Sequence, residues 1–135
     1  MKKRILLLIS LIVICLTLFS PLCVNAVTPL DPDAKASLTI SYQKDGTAFP
    51  DLTVGIYRVA QAFPSGIFEL IEPFSSYPVN IHDIMVQEQW TNAANTLNAY
   101  IVSNHITPDA EMLTDEEGVA LFTDLETGLY LVEEV

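Results

Sequence analysis

The side chains able to do chemistry are mostly carboxylates, and Glu134 is placed most suggestively. In Gly128-Leu129-Tyr130-Leu131-Val132-Glu133-Glu134, strand alternation puts Tyr130, Val132 and Glu134 on one face. If that is the core face, the row ends in a carboxylate that burial pushes toward its protonated form and that needs a partner. The simpler reading is a solvated acid at a strand end. Asp109, Glu111, Asp115, Glu116 and Glu117 form an acidic run without the ligand spacing of an EF-hand, so a solvated loop is expected ahead of a calcium site. His82 and His105 stand too far apart for one helix face and have no companion ligands, which favours surface or capping roles over metal binding. Ser65-Gly66 has neither a nucleophile-elbow context nor a positioned base. There is no Gly-rich phosphate loop and no Cys-x-x-Cys. Nothing in these spacings is a positive reason to propose turnover, and neither a metal nor a cofactor is expected.

The elements that would position these groups follow an export signal. Met1-Lys2-Lys3-Arg4 is a basic start, Ile5 to Phe19 is an apolar run of 15 residues, and Val24-Asn25-Ala26 offers a peptidase site. This reads as a secretory signal peptide, residues 1–26, cleaved after Ala26. The run is short for a membrane span of about 20 residues, so a retained anchor is the lesser alternative. Cys23 follows the bulky Leu22, which speaks against a lipoprotein. Cleavage removes both cysteines, Cys15 and Cys23, leaving no disulfide or thiol chemistry in a compartment that would allow it. It also removes Lys2, Lys3 and Arg4 and takes the formal charge from −11 to −14. Such a surface repels phosphate backbones and anionic headgroups, arguing against nucleic-acid partners and against membrane association of the mature part.

Residues 27–35, with Thr28-Pro29 and Asp31-Pro32-Asp33, read as an exposed leader. Leu38, Ile40 and Tyr42 then alternate with Ser37, Thr39 and Ser41, a half-buried strand. Lys44 continues the Tyr42 face just before an Asp45-Gly46 turn, unless a bulge changes the phase. Leu52 to Ala60 is a second strand, in which Gly55 marks a bulge or a close backbone approach. Phe63-Pro64-Ser65-Gly66 is a turn, and a short strand follows with Phe68 and Leu70 on one side. From about Ile81 the period changes: Val86, Trp90, Ala93, Leu97 and Ile101 share a helix face. This predicts one amphipathic helix over about 81–104, capped by Asn80 and anchored by Trp90, with ligand stacking the minor role for that indole. Val119 to Phe122 and Leu129 to Val132, separated by turn residues, predict a closing hairpin. The chain stops at Val135 within that strand, and the expectation is a fragment lacking a further strand, marginally stable or paired with a strand supplied in trans.

Ser37-Leu38-Thr39-Ile40, Leu52 to Ala60, Thr114 to Leu125 and Gly128 to Glu134 together resemble the Cna B-type domain of Gram-positive surface proteins. They are similar in particular to the N-terminal part of SpaA-type pilin subunits. The resemblance covers residues 36–135, with the helical segment as an insertion. It is carried best by the acidic turn, Gly118, Phe122, Leu125, Gly128, Tyr130 and Glu134. It implies a mainly β fold, an immunoglobulin-like (prealbumin-type) antiparallel β-sandwich with one inserted amphipathic helix. It also implies a role as structural subunit or adhesin.

Many such domains form an isopeptide bond between a first-strand lysine and a last-strand asparagine, assisted by an acid. The resemblance places that acid at Glu134. The lysine place falls on Tyr42, which cannot react; Lys44 could substitute only after a register shift. The asparagine belongs to a final strand beyond this chain, and Asn92, Asn95 and Asn98 lie in the helix. An internal isopeptide bond is therefore not expected, with Glu134 and Lys44 its only weak candidates. Ser76-Tyr77-Pro78-Val79-Asn80 has valine where a Tyr-Pro-Lys pilin motif carries lysine, and no Leu-Pro-x-Thr-Gly signal is present. The expected protein is a non-enzymatic, secreted surface or cell-wall module whose partners are other surface or pilin subunits or a host or matrix protein. The alternative is a free secreted binding module for a protein or carbohydrate.

Overall fold

A computed structural model describes residues 29–135. The expected signal segment and cleavage site, and both cysteines, lie outside the described residues. In chain order the elements are β1 (Lys35–Ser41), β2 (Gln43–Lys44), β3 (Thr47–Ala48), β4 (Thr53–Ala62), β5 (Phe68–Leu70), a 3-10 turn at Phe74–Ser76, α1 (Gln87–Asn104), β6 (Ala110–Leu113), β7 (Val119–Glu126) and β8 (Gly128–Glu134). The fold is mainly β, with antiparallel pairings and one α-helix.

β4 is the hub because its sequence is apolar on both faces. One of its edges pairs with β8 from Val54 to Gln61, and the other takes β6 at Thr53 to Ile56 and β5 at Ala60 to Ala62. On one face Val54 and Ile56, both fully buried, pack with Ala120 and Phe122 of β7. Leu38 and Ile40 of β1 and Tyr130 and Val132 of β8 surround this core, half-buried. On the opposite face Tyr57 and Val59 pack with Leu97 and Ile101 of α1, with Leu131 of β8 and with Phe74. The molecule is thus three layers, β1/β7 on the central sheet on the helix, which accounts for the near-continuous burial along β4. Gly55 is the predicted close approach: a Cβ there would stand 2.7 Å from Val135 Cγ2 and 3.3 Å from Pro108 Cβ. The bulges lie elsewhere, between Ala36 and Leu38 and between Arg58 and Ala60.

Several local expectations hold. Asp45 and Gly46 take positive φ values of 51° and 78°, the two left-handed residues that a two-residue hairpin turn demands, and they join β2 to β3. At Phe63 to Gly66 the Gly66 amide donates to the Phe63 carbonyl at 2.8 Å, turning β4 into β5.

Two expectations fail. The last two strands do not form a hairpin with each other: β7 pairs with β1, and β8 pairs with β4. Thr127 alone separates them, and there the chain passes from one sheet to the other, so each strand satisfies its backbone groups with an earlier one. The helix starts at Gln87, not near Ile81. The Asn80 carboxamide accepts from the His82 amide at 2.8 Å, and Asp83 has a φ of 55°. Such local side-chain bonds and left-handed residues compete with helix. Gln89 caps instead, its Oε1 accepting from the Met85 and Val86 amides at 2.8 and 3.2 Å. Val86 is therefore an exposed flank, while Ala93, Leu97 and Ile101 form the buried stripe as predicted. His105, at φ 52°, closes the helix.

Candidate functional site

Of the residues singled out for chemistry, Glu134 comes near Tyr42 where β1 and β8 face a common cleft. The Thr127 hydroxyl donates to the Ala34 carbonyl at 2.7 Å, fixing the start of β1 beside the start of β8. Ala36 and Leu38 then line a cleft of about 260 Å³ with Leu125, Gly128, Tyr130 and Val132. At the far end, Tyr42 lies in the field of the β8 carboxylates: burial raises its phenol above the usual range, and Glu134, then Glu133, add to this. β1 and β8 therefore run side by side in the same direction, Ala36 toward Gly128 and Tyr42 toward Glu134.

Tyr42 and Glu134 are thus brought to the same end of the inner face, but Glu134 is exposed and does not close a buried row. The desolvated acid is its neighbour Glu133, half-buried on the helix side opposite Gly55, whose carboxyl is pushed up by burial. Lys44 does not join them. The Tyr42 amide donates to the Gly118 carbonyl at 2.8 Å, and the chain then leaves the β1–β7 ladder for its own hairpin, where Lys44 faces solvent opposite Thr47. The register shift that would bring Lys44 inward is absent. Gly118, at φ 74°, permits this junction, since a Cβ there would stand 2.5 Å from the Tyr42 carbonyl oxygen.

The other candidates serve structure. In the acidic run, Asp115 Oδ1 accepts from the amides of Glu117 and Val119 at 3.0 and 2.8 Å, shaping the turn into β7. Among the described residues no group of three or more His, Cys, Asp or Glu side chains is placed to hold a metal ion. His82 and His105 are exposed. Trp90, 38% exposed, sits over a cleft of about 70 Å³ lined with Val59, Ala93, Leu97 and Leu131. Ligand pockets are typically about 300 Å³ or more, so the indole covers the helix–sheet seam rather than opening a binding site. Asn92, Asn95 and Asn98 lie on α1, away from the β1–β8 edge.

Two residues carry more than sequence reasoning gave them. Thr114, 2% exposed, donates its hydroxyl to the Phe49 carbonyl at 2.7 Å and accepts from the Leu52 amide at 3.0 Å, tying the loop before β4 to the strand β6. Arg58 pairs with Glu126 and donates to the Thr127 carbonyl at 3.0 Å, while its Nε is buried without a partner. With Lys35 it borders a polar cleft of about 420 Å³. Arginine within an alternating strand signals a sheet rim, but its partners come from a turn more than sixty residues away.

Comparison of the chain with protein-family models, with curated proteins and with solved structures finds no match.

Proposed function

We propose that the chain is an exported, non-enzymatic surface module of immunoglobulin-like, Cna B-like build, serving as a structural subunit or adhesin part of a pilus or cell-wall protein. The observation that carries this reading is the arrangement at the β1–β8 edge. The residue after the first strand, Tyr42, and an acid at the end of β8, Glu134, lie at one end of the inner face, the relation that the resemblance implies. The basic and apolar start of the chain and the peptidase site at Ala26 supply the export half of the reading. A free secreted binding module for a protein or carbohydrate is the alternative that the test must separate from it.

The test is to fractionate cells that make the protein, sequence the amino terminus of the product and label intact cells with antibody. A wall-bound product beginning at Val27, accessible on intact cells, is expected. A cytosolic chain retaining Met1 would overturn the proposal. A product found only free in the medium would favour the binding module.

A further inference from the structure

Among the described residues, the two packed sheets are closed on one side and open on the other. β6 and β7 approach each other on the closed side. On the open side β1 pairs only with β7 and β8 only with β4 among the described residues, so both present free edges to the same cleft. Burial follows this division: Val54, Ile56, Ala120 and Phe122 are buried in the centre, whereas Leu38, Ile40, Tyr130 and Val132 along the open side are only half-buried. Free edges are ordinarily blunted by charge, proline, bulges or brevity, and the one bulge of β1, between Ala36 and Leu38, leaves Leu38 to Ser41 in regular register. β1 is seven residues long, contains no proline, and carries its one charge, Lys35, at its first position. Its outward side chains, Ser37, Thr39 and Ser41, are small and neutral. β8, by contrast, ends in Glu133 and Glu134.

We infer that the β1 edge and the cleft beneath it are an acceptor site for an extended, cationic segment of a partner polypeptide, which adds a strand to β1 and lays alternate apolar side chains over Leu38, Tyr130 and Val132. The edge supplies sequence-independent backbone bonds, and the cleft selects apolar residues at every second position. Charge selects the partner. The strand that floors the cleft runs on past Val132 to the exposed Glu134, on a chain whose residues 27–135 carry 17 acids against three Lys and Arg, so a strand bearing lysine or arginine fits, while a second copy of this chain brings repulsion. The inference goes beyond the surface-module reading and rests on the β1 edge, the half-buried row beside it and the charge of the chain.

The probe is a synthetic peptide of about seven to nine residues, valine alternating with threonine and lysine at both ends. It is added to protein expressed from the full 135-residue sequence. Binding is expected to protect the β1 amides that exchange freely in the unliganded protein. N-methylation of alternate peptide amides in one register should weaken binding at least about tenfold, and methylation in the other register should leave it unchanged. Replacing the lysines by glutamate should weaken binding about two- to fivefold, and Glu134→Lys should reverse that preference. Equal effects of the two methylated series, or protection appearing at β5 or β6 instead of β1, would overturn the inference. So would failure of the peptide to bind, or self-association through β1 in preference to it. Glu134 is exposed, so its variant tests charge without disturbing the core, and the methylated peptides test the edge without altering the protein.

Discussion

Thr114 has no charge and no reactive group, yet its buried hydroxyl serves one backbone carbonyl and one amide across the base of β4. Thr114→Val keeps the shape and strands both backbone groups, so a loss of about 1–3 kcal/mol is expected in chemical denaturation, with Thr114→Ser recovering most of it. Glu133 acts in the opposite sense. Its carboxyl is raised by desolvation in the folded state, so the folded chain holds that proton more tightly than the unfolded one. The stability linked to it is therefore complete below the ordinary carboxylate range and is lost as pH rises through the elevated value. Glu133→Gln is expected to have little effect near pH 3 and to raise the melting temperature relative to the parent from about pH 5 upward. A parallel pair of melting curves across that range would refute the assignment. Tyr42, Glu134 and Lys44 explain how far a site can be read from sequence. Alternation put Tyr42 on the inward face correctly, and Glu134 follows the Tyr130–Val132 row to a solvent-exposed strand end. It could not reveal that Lys44 leaves the ladder, since that depends on the Tyr42 amide finding the Gly118 carbonyl, a partner 76 residues away in the sequence.

At the level of elements, α1 is held by one stripe. Leu97 and Ile101 are 3% and 5% exposed against the sheet, while Val102 is 67% exposed. Leu97→Ala should cost about 2–5 kcal/mol and Val102→Ala less than about 0.5 kcal/mol, compared by denaturant titration. Similar losses at both positions would mean that the helix does not pack on Tyr57 and Val59 as described. The stripe was legible because period 3.6 is a local signal, and the Asp45-Gly46 turn was legible because its residue types meet a local backbone demand. The start of the helix was not, since the bond from the His82 amide to Asn80 stops a pattern that hydrophobicity alone would extend to Ile81. The pairing of β7 and β8 was not legible either. Two apolar runs joined by turn residues satisfy the hairpin pattern, and only the competing partners β1 and β4 divert them into separate sheets. Pairing partners are a tertiary property, which a pattern of period 2 does not encode.

For the whole molecule, the surface-module reading carries a covalent expectation. On that reading, with Tyr42 where the resemblance puts the lysine and Lys44 turned out into the β2–β3 hairpin, protein expressed from this sequence should show the mass of its residues with no ammonia lost. A deficit of one ammonia in high-resolution mass spectrometry would show that another pair has cross-linked. Stability must then come from the two cores on either side of β4 and from the ladders themselves. The common direction of β1 and β8 bears on how those ladders respond to tension. A force applied at the start of β1 and at the end of β8 enters at opposite ends of the two packed sheets, along the strand axes. The rungs between β1 and β7, and those between β8 and β4, are then loaded together in shear instead of being peeled one after another. A module strung between two neighbours would resist extension through many hydrogen bonds at once, with no covalent staple to carry the load.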